Sequence, residues 1–498
     1  MKGFFLTILM ILMWVSTFSL ISPLKAEGIL SESSIRDFDI AMEFEDSYKA
    51  HAAFDSVQLD SFILATMETD HFPGLSACIV KGGEIKWSRS YGYANLEDSV
   101  EVTDSTLFHI GSVGKTIAAC AIMQLWQQGL FELDDDINEH LPFEVRNPWF
   151  PDSAITFRML MTHSSSIQDC WSVMDSCVGD CPQRLRDFLE DYFVPGGANF
   201  DSSCNFMVQY GPGTRWEYCN MAAALVGYLV EAIADSFPIY CQDSIFAPLG
   251  MDEAAWFLAD LDTSHIAMPY GFSGGQHFSY GHLGCAYYSA GQVRTSGHQL
   301  ARFLITHMQH GEYNGTRILD STTVELMNAI YFSDLYPNSS WVYDMGLLWY
   351  GMELNGRYLW GHSGRWWGAL AAMFYCQKEN TGVVVLTNYQ SRSPYSGFTS
   401  ILHELFEYAN TYCPCGDGNG DTKITFADAL YLKNYYFQTP PGSPAPIGEG
   451  DVNLDGRITF ADALYIKNYY YQTPPGSPPP CEPPKAAPFR ERRMEGWN

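Results

Sequence analysis

Between Asp417 and Pro480 the chain writes the same text twice, and no other feature limits its folding as tightly. Residues 417–446 align with 451–480 at 23 of 30 positions, a period of 34. Two copies are too few for a solenoid, so the repeat is a paired motif. In the second copy Asp451, Asn453, Asp455, Thr459 and Asp462 place oxygen side chains at loop positions 1, 3, 5, 9 and 12. Gly456 makes the sharp turn at position 6, and Arg457 offers its main-chain carbonyl at position 7. This is the ligand geometry of a hard cation that takes six to eight oxygens, which is to say calcium. The first copy supplies Asp417, Asn419, Asp421, Lys423 (by its carbonyl), Thr425 and Asp428. Thr422 stands there where glycine is expected, so the first loop should bind more weakly. Two ions are expected, in a small α-helical module over 411–480.

Ahead of Thr411 the composition is that of a globular domain, placed at 30–410. Of the 498 residues 47% are hydrophobic and 17% charged, enough apolar surface for a large core. The formal net charge of −29 argues against nucleic acid, which requires a basic footprint. Met1–Lys2, an apolar run from Phe4 to about Ile21 and a small-residue exit at Ala26 read as a secretory signal over 1–26. No later stretch is apolar enough to span a bilayer. The expected location is therefore secreted, periplasmic or cell-surface, without stable membrane insertion after cleavage. Thirteen cysteines agree with an oxidising compartment. Four of them, Cys170, Cys177, Cys181 and Cys204, share one polar stretch, and three pairings are open. That stretch reads equally as a lid over a pocket or as a stapled surface insertion. After Cys481 the chain turns Pro-rich and then basic, and 481–498 is expected to be disordered.

Coarse patterning places a hairpin at 74–81 and 84–92 around Gly82-Gly83, helices at Thr116–Gln128 and Met221–Ala234, and late strands near Trp360, at 370–375 and at 383–387. Early strands, central helices and late strands imply an α+β layout whose two ends share one sheet. Three short motifs fall on this frame: Ser112-x-x-Lys115, Tyr218-x-Asn220 and His362-x-Gly364. Each also has chance matches, at Ser22–Lys25, Tyr93–Asn95, Tyr336–Asn338 and His282–Gly284. Context separates them. Ser112 opens a helix, whose N-terminus favours developing negative charge, and Lys115 follows one turn on. An amine so placed can take the serine proton. Tyr218 directly precedes a helix, and His362 lies on a glycine-flanked strand. A rival Gly271-x-Ser273-x-Gly275 lacks a following helix.

With Leu133-Asp-Asp, Leu160-Met-Thr-His163-Ser and Pro212-Gly-Thr214 between them, the three motifs in this order resemble the serine β-lactamases of the class C type and the related penicillin-binding proteins and esterases. The resemblance implies an antiparallel sheet sandwiched by helices plus an all-helical subdomain. It implies Ser112 as the acylated nucleophile, Lys115 as its base, Tyr218 as proton shuttle and Asn220 as a hold on the substrate amide or ester. It also implies an oxyanion hole from the N–H groups of Ser112 and Arg365. Two positions depart from the pattern. His362 replaces the lysine that attracts a substrate carboxylate, which favours an esterase or D-amino-acid peptidase over a true β-lactamase. Ser166 stands where glycine is usual, which should strain that loop. The C-terminal repeat resembles a type I dockerin with two EF-hand-type loops, which implies a cohesin-type protein partner. A catalytic reading therefore stands beside a binding-protein reading in which the dockerin is the working part.

Overall fold

Gly82 and Gly83, with φ of +61° and +83°, close the first hairpin of the computed structural model. Positive φ at both central residues gives the turn whose twist matches that of its strands. The structure describes residues 56–411 except 334, 336–341 and 391–395. The segments expected to be the signal (1–26), the two calcium loops and the tail (481–498) lie outside the described residues.

Strands β1 (Gly74–Lys81) and β2 (Glu84–Asn95) form that hairpin, and the short β3 (Val100–Glu101) pairs with β2. The last part of the domain supplies β4 (Asp344–Met345), β5 (Tyr350–Leu354), β6 (Arg357–Trp366), β7 (Ala369–Cys376) and β8 (Thr381–Thr387). All eight make one antiparallel sheet in the order β4-β5-β6-β7-β8-β1-β2-β3. Its two ends therefore join where β1 pairs with β8, for example Ser76 opposite Leu386. Leu75 to Val80 and Val383 to Leu386 are buried without alternation, as expected of central strands covered on both faces.

Helix α1 spans Ser56–Asp70. Helix α2 (Gly114–Gln127) is buried from Gly114 to Leu125, so its apolar sequence runs almost all round, as in a core helix. It ends at Gly129, whose φ of +75° suits a left-handed stop. Helix α3 (Asn220–Ala234) packs along it. Both begin one or two residues before their expected starts: α2 because the helical turn at Gly111–Val113 runs into it, and α3 because Cys219 caps it at the Ala222 N–H. Helix α4 (Gly297–Met308) lies on the sheet over Gly382, where an added Cβ would meet Leu304 and Met308 at 2.8 Å.

The polar insertion pairs its cysteines as Cys170–Cys204 and Cys177–Cys181. Its strand Ser176–Val178 pairs with Leu283–Cys285, and Asp180 accepts from the N–H groups of Leu258 (2.9 Å) and Ala259 (3.0 Å). Among the described residues six further cysteines are buried thiols: Cys78, Cys120, Cys219, Cys241, Cys285 and Cys376. The chain divides into two compact units. One holds residues 67–402; the other gathers 49–66 and 403–498, and its described part is helical, including the end of α5 (Ser396–Thr411). Among the described residues no single helix is long and apolar enough to cross a membrane.

Candidate active site

The chain turns sharply into α2. Gly111, at φ +51°, begins a tight helical turn over Gly111–Val113 that runs straight into the helix. That turn puts Ser112, half-buried, at the mouth and Lys115, fully buried, one turn behind it. Two glycines make room for it. A Cβ on Gly364 would stand 1.9 Å from the carbonyl oxygen of Ile110 and 3.0 Å from the Ser112 nitrogen. A Cβ on Gly291 would meet the Gly111 oxygen at 2.7 Å and the Ser112 nitrogen at 3.1 Å. On the other side a Cβ at Gly111 would stand 2.5 Å from the Arg365 nitrogen. Strand β6 and the Ser112 turn therefore touch backbone to backbone, which brings the amides of Ser112 and Arg365 into one neighbourhood.

Lys115 holds the centre. Its Nζ lies 2.8 Å from Ser112 Oγ, 2.6 Å from Asn220 Oδ1 and 2.8 Å from the carbonyl oxygen of Ala290. The Tyr218 ring lies beneath it, with Nζ 5.1 Å from the ring centre. Tyr218 packs in turn on His163, ring centres 4.4 Å apart, and near His362 at 6.3 Å. The three separate motifs thus converge, and Ser112, Lys115, Tyr218, Asn220, His362, Gly364 and Arg365 occupy one region.

His362 is buried on β6, with Nδ1 2.5 Å from the Ser363 carbonyl and Nε2 enclosed without a partner. Burial, with the field of Lys115 added, pushes its imidazole pKa down to about 3. It is neutral near pH 7, so it supplies no positive charge where a lysine would. His163 is likewise held well below the ordinary imidazole range, by burial first and then by Lys115 and His362. Its Nδ1 accepts from the Cys219 N–H at 3.2 Å. Ser166 has φ +62°, the left-handed backbone that glycine adopts freely, and its hydroxyl is bonded by Asn147 at 3.0 Å.

Two partners of this centre were not apparent from the sequence. The Ala290 carbonyl belongs to a short turn, Tyr288–Ala290, packed against α3, and no side-chain pattern marks a backbone oxygen. Asp169 accepts from the Asn220 N–H and the Asn220 Nδ2, both at 2.9 Å, from the Met221 N–H at 2.9 Å and from Cys219 Sγ at 3.3 Å. Its signal was its place, a few residues after the Leu160–Ser164 motif and next to Cys170.

The tryptophans divide. Trp349 and Trp360 are core, the first stacked on His307 at 3.7 Å and the second bonded to Asn328 at 2.5 Å. Trp366 stacks on His109 at 5.2 Å, and Trp367 lies 5.4 Å from Tyr280. His307 is buried under Trp349. Gly271–Ser273 lie on a strand and Gly274-Gly275 turn the hairpin between Tyr270–Ser273 and Gln276–Ser279, which is not a strand-to-helix elbow. Among the described residues no group of three or more His, Cys, Asp or Glu could hold a metal ion.

The Beta-lactamase family model matches residues 59–404, and the Dockerin type I domain model matches 415–470. Protein flp of Staphylococcus aureus (strain MRSA252) is 28% identical over 218 residues, 44% of this chain and 41% of that protein. The match thus spans about two fifths of that relative's length. Two solved structures share the fold: the octameric penicillin-binding protein homologue from Pyrococcus abyssi (TM-score 0.55, 24% identity, 70% of this chain and 76% of that one) and the D-amino acid amidase from Ochrobactrum anthropi SV3 (TM-score 0.56, 19% identity, 70% and 98%). The mixed helix and antiparallel-sheet architecture expected from the motifs is the one found.

Proposed function

This chain belongs to the beta-lactamase family and carries a type I dockerin domain, and from that premise we propose that it is an exported serine hydrolase working through an acyl-enzyme on Ser112. The observation that carries this reading is the contact of Lys115 Nζ with Ser112 Oγ, Asn220 Oδ1 and Ala290 O.

The last two can only accept. They satisfy both N–H hydrogens of a neutral amine and leave its lone pair directed at the serine hydroxyl. If the amine carries a third proton, the same three contacts become three donated bonds. Lys115 can therefore take the Ser112 proton with no rearrangement, which is what a preorganised base requires. Ser112 Oγ then adds to the substrate carbonyl, and the amides of Ser112 and Arg365 donate to the oxyanion. Tyr218, against both Lys115 and His163, passes the proton to the leaving amine or alcohol. Water then cleaves the acyl-serine.

A neutral His362 gives a substrate carboxylate no counter-charge, so we assign the substrate as an ester or amide of the esterase or D-amino-acid peptidase type. The likeness to a D-amino acid amidase supports the amide choice. We assign two calcium ions to the C-terminal loops, with the ligands named above, and a cohesin-type protein as partner of that domain. The same proposal places the signal at 1–26, the hydrolase at 30–410, the dockerin at 411–480 and a disordered tail at 481–498.

The test is intact-mass spectrometry of the full-length protein after exposure to a fluorophosphonate and, separately, to a penicillin. A single adduct lost in Ser112→Ala is expected with the phosphonate. No adduct on folded, calcium-loaded protein would overturn the acyl-serine reading in favour of a non-catalytic binding protein.

A further inference from the structure

We infer that Asp169 is a positioning residue for the acylation step, acting through the side-chain amide of Asn220; the inference rests on the acyl-serine reading above.

An asparagine amide can sit either way round, and a half-turn exchanges its acceptor for its donors. In one orientation Asn220 Oδ1 takes a bond from Lys115 Nζ at 2.6 Å while Nδ2 donates to Asp169 at 2.9 Å. In the other, the NH2 group would face an amine and the oxygen a carboxylate. The oxygen could then make no bond to the carboxylate, and the lone pair of Lys115 would be drawn from Ser112 toward the new donors. Asp169 therefore decides which atom Lys115 meets. While Lys115 is neutral and can both donate and accept, the Ser112–Lys115 pair does not make that choice by itself.

The carboxylate is built in from both sides. Asp169 also accepts from the Asn220 and Met221 amides at the start of α3, each at 2.9 Å, so it holds the backbone and the side chain of Asn220 together. Its own segment is clamped around it. The Tyr192 hydroxyl donates to the Gln168 carbonyl at 2.7 Å and accepts from the Cys170 N–H at 2.8 Å. Gln168 N–H donates to the Asn205 carbonyl at 2.9 Å, and Cys170 is joined to Cys204. The insertion that could be a lid or a mere staple thus presents one carboxylate to the helix that carries Asn220.

The experiment measures single-turnover labelling of the full-length protein by a fluorophosphonate. Variants are Asp169→Asn, Asn220→Asp and the two combined, each checked by thermal denaturation. Asp169→Asn puts an NH2 group against donors, and a misplaced catalytic group can slow reaction by about 10- to 100-fold. Asn220→Asp sets two carboxylates side by side and should lose a similar factor. The exchanged pair restores one donor and one acceptor between the two positions, and its labelling rate should recover at least tenfold over the slower single variant. A purely structural role predicts additive losses and no recovery.

Labelling of Asp169→Asn at the wild-type rate would overturn the inference. If that variant does not fold, wild-type labelling of Asn220→Asp overturns it equally. Absence of any adduct on wild type would overturn the acyl-serine reading instead, so the two failures are told apart by the wild-type control.

Discussion

At Gly364 the tolerance for one methyl group is nil. A Cβ there would stand 1.9 Å from the Ile110 carbonyl and 3.0 Å from the Ser112 nitrogen, and both are backbone atoms that no rotamer change can move. Gly364→Ala should therefore push β6 off the Ser112 turn and misplace the amides of Ser112 and Arg365, the proposed oxyanion donors. Loss of one such donor costs roughly 100- to 1,000-fold in rate. We expect phosphonate labelling of Ser112 to fall by at least tenfold in Gly364→Ala, while Gly281→Ala, which has open space but a φ of +68°, is a control for backbone strain and should lower the melting temperature without slowing labelling. The serine–lysine spacing was legible in the sequence because three residues of helix fix it locally. Asp169 was not, since its contacts with Asn220 cross 51 positions and its neighbours in sequence only say that it is close to a cysteine.

Helix α3 acts on the site through its flank. Gly227, about two helical turns along from Asn220, faces the turn that carries Ala290, and a Cβ there would meet Ser289 Cβ at 2.3 Å and Oγ at 2.6 Å. Gly227→Ala should displace that turn and with it the carbonyl that holds Lys115. Overpacking of this kind destabilises by about 1–3 kcal/mol. The expected result is a lower melting temperature and slower labelling together, with both partly restored by adding Ser289→Gly. Unchanged labelling in a destabilised Gly227→Ala would show that the Ala290 carbonyl does not tune Lys115. The hairpin at Gly82-Gly83 and the core of both helices could be read from turn chemistry and hydrophobic spacing. The start of α3 could not, because its cap is Cys219, whose Sγ accepts from the Ala222 N–H at 3.3 Å, rather than one of the usual capping residues.

For the whole molecule, buried histidines set the response to acid. Burial pushes the pKa of His362 down to about 3 and those of His282 and His307 to about 4, and holds His109 and His163 well below the ordinary range. An unfolded imidazole has a pKa near ~6.5, so below that pH the unfolded chain binds more protons than the folded one. Stability is then fully present above about pH 6.5 and is lost as pH falls toward the folded values, by up to about 1.4 kcal/mol per pH unit for each such histidine. Melting temperatures between pH 7 and pH 5.5 should fall accordingly, and His307→Gln should show a shallower slope; a flat profile in the wild type would contradict the neutral buried state. What the sequence determined by itself was whatever depends on near neighbours along the chain: the calcium-loop spacing, the Ser112–Lys115 turn, the glycine hairpin and the order of motifs that marks the family. The tertiary structure alone decided which distant groups complete the site. The join of β1 to β8, the pairing of Cys170 with Cys204, the Ala290 carbonyl and the Asp169 carboxylate each depend on backbone positions brought together across long stretches of chain, and no local periodicity carries that information.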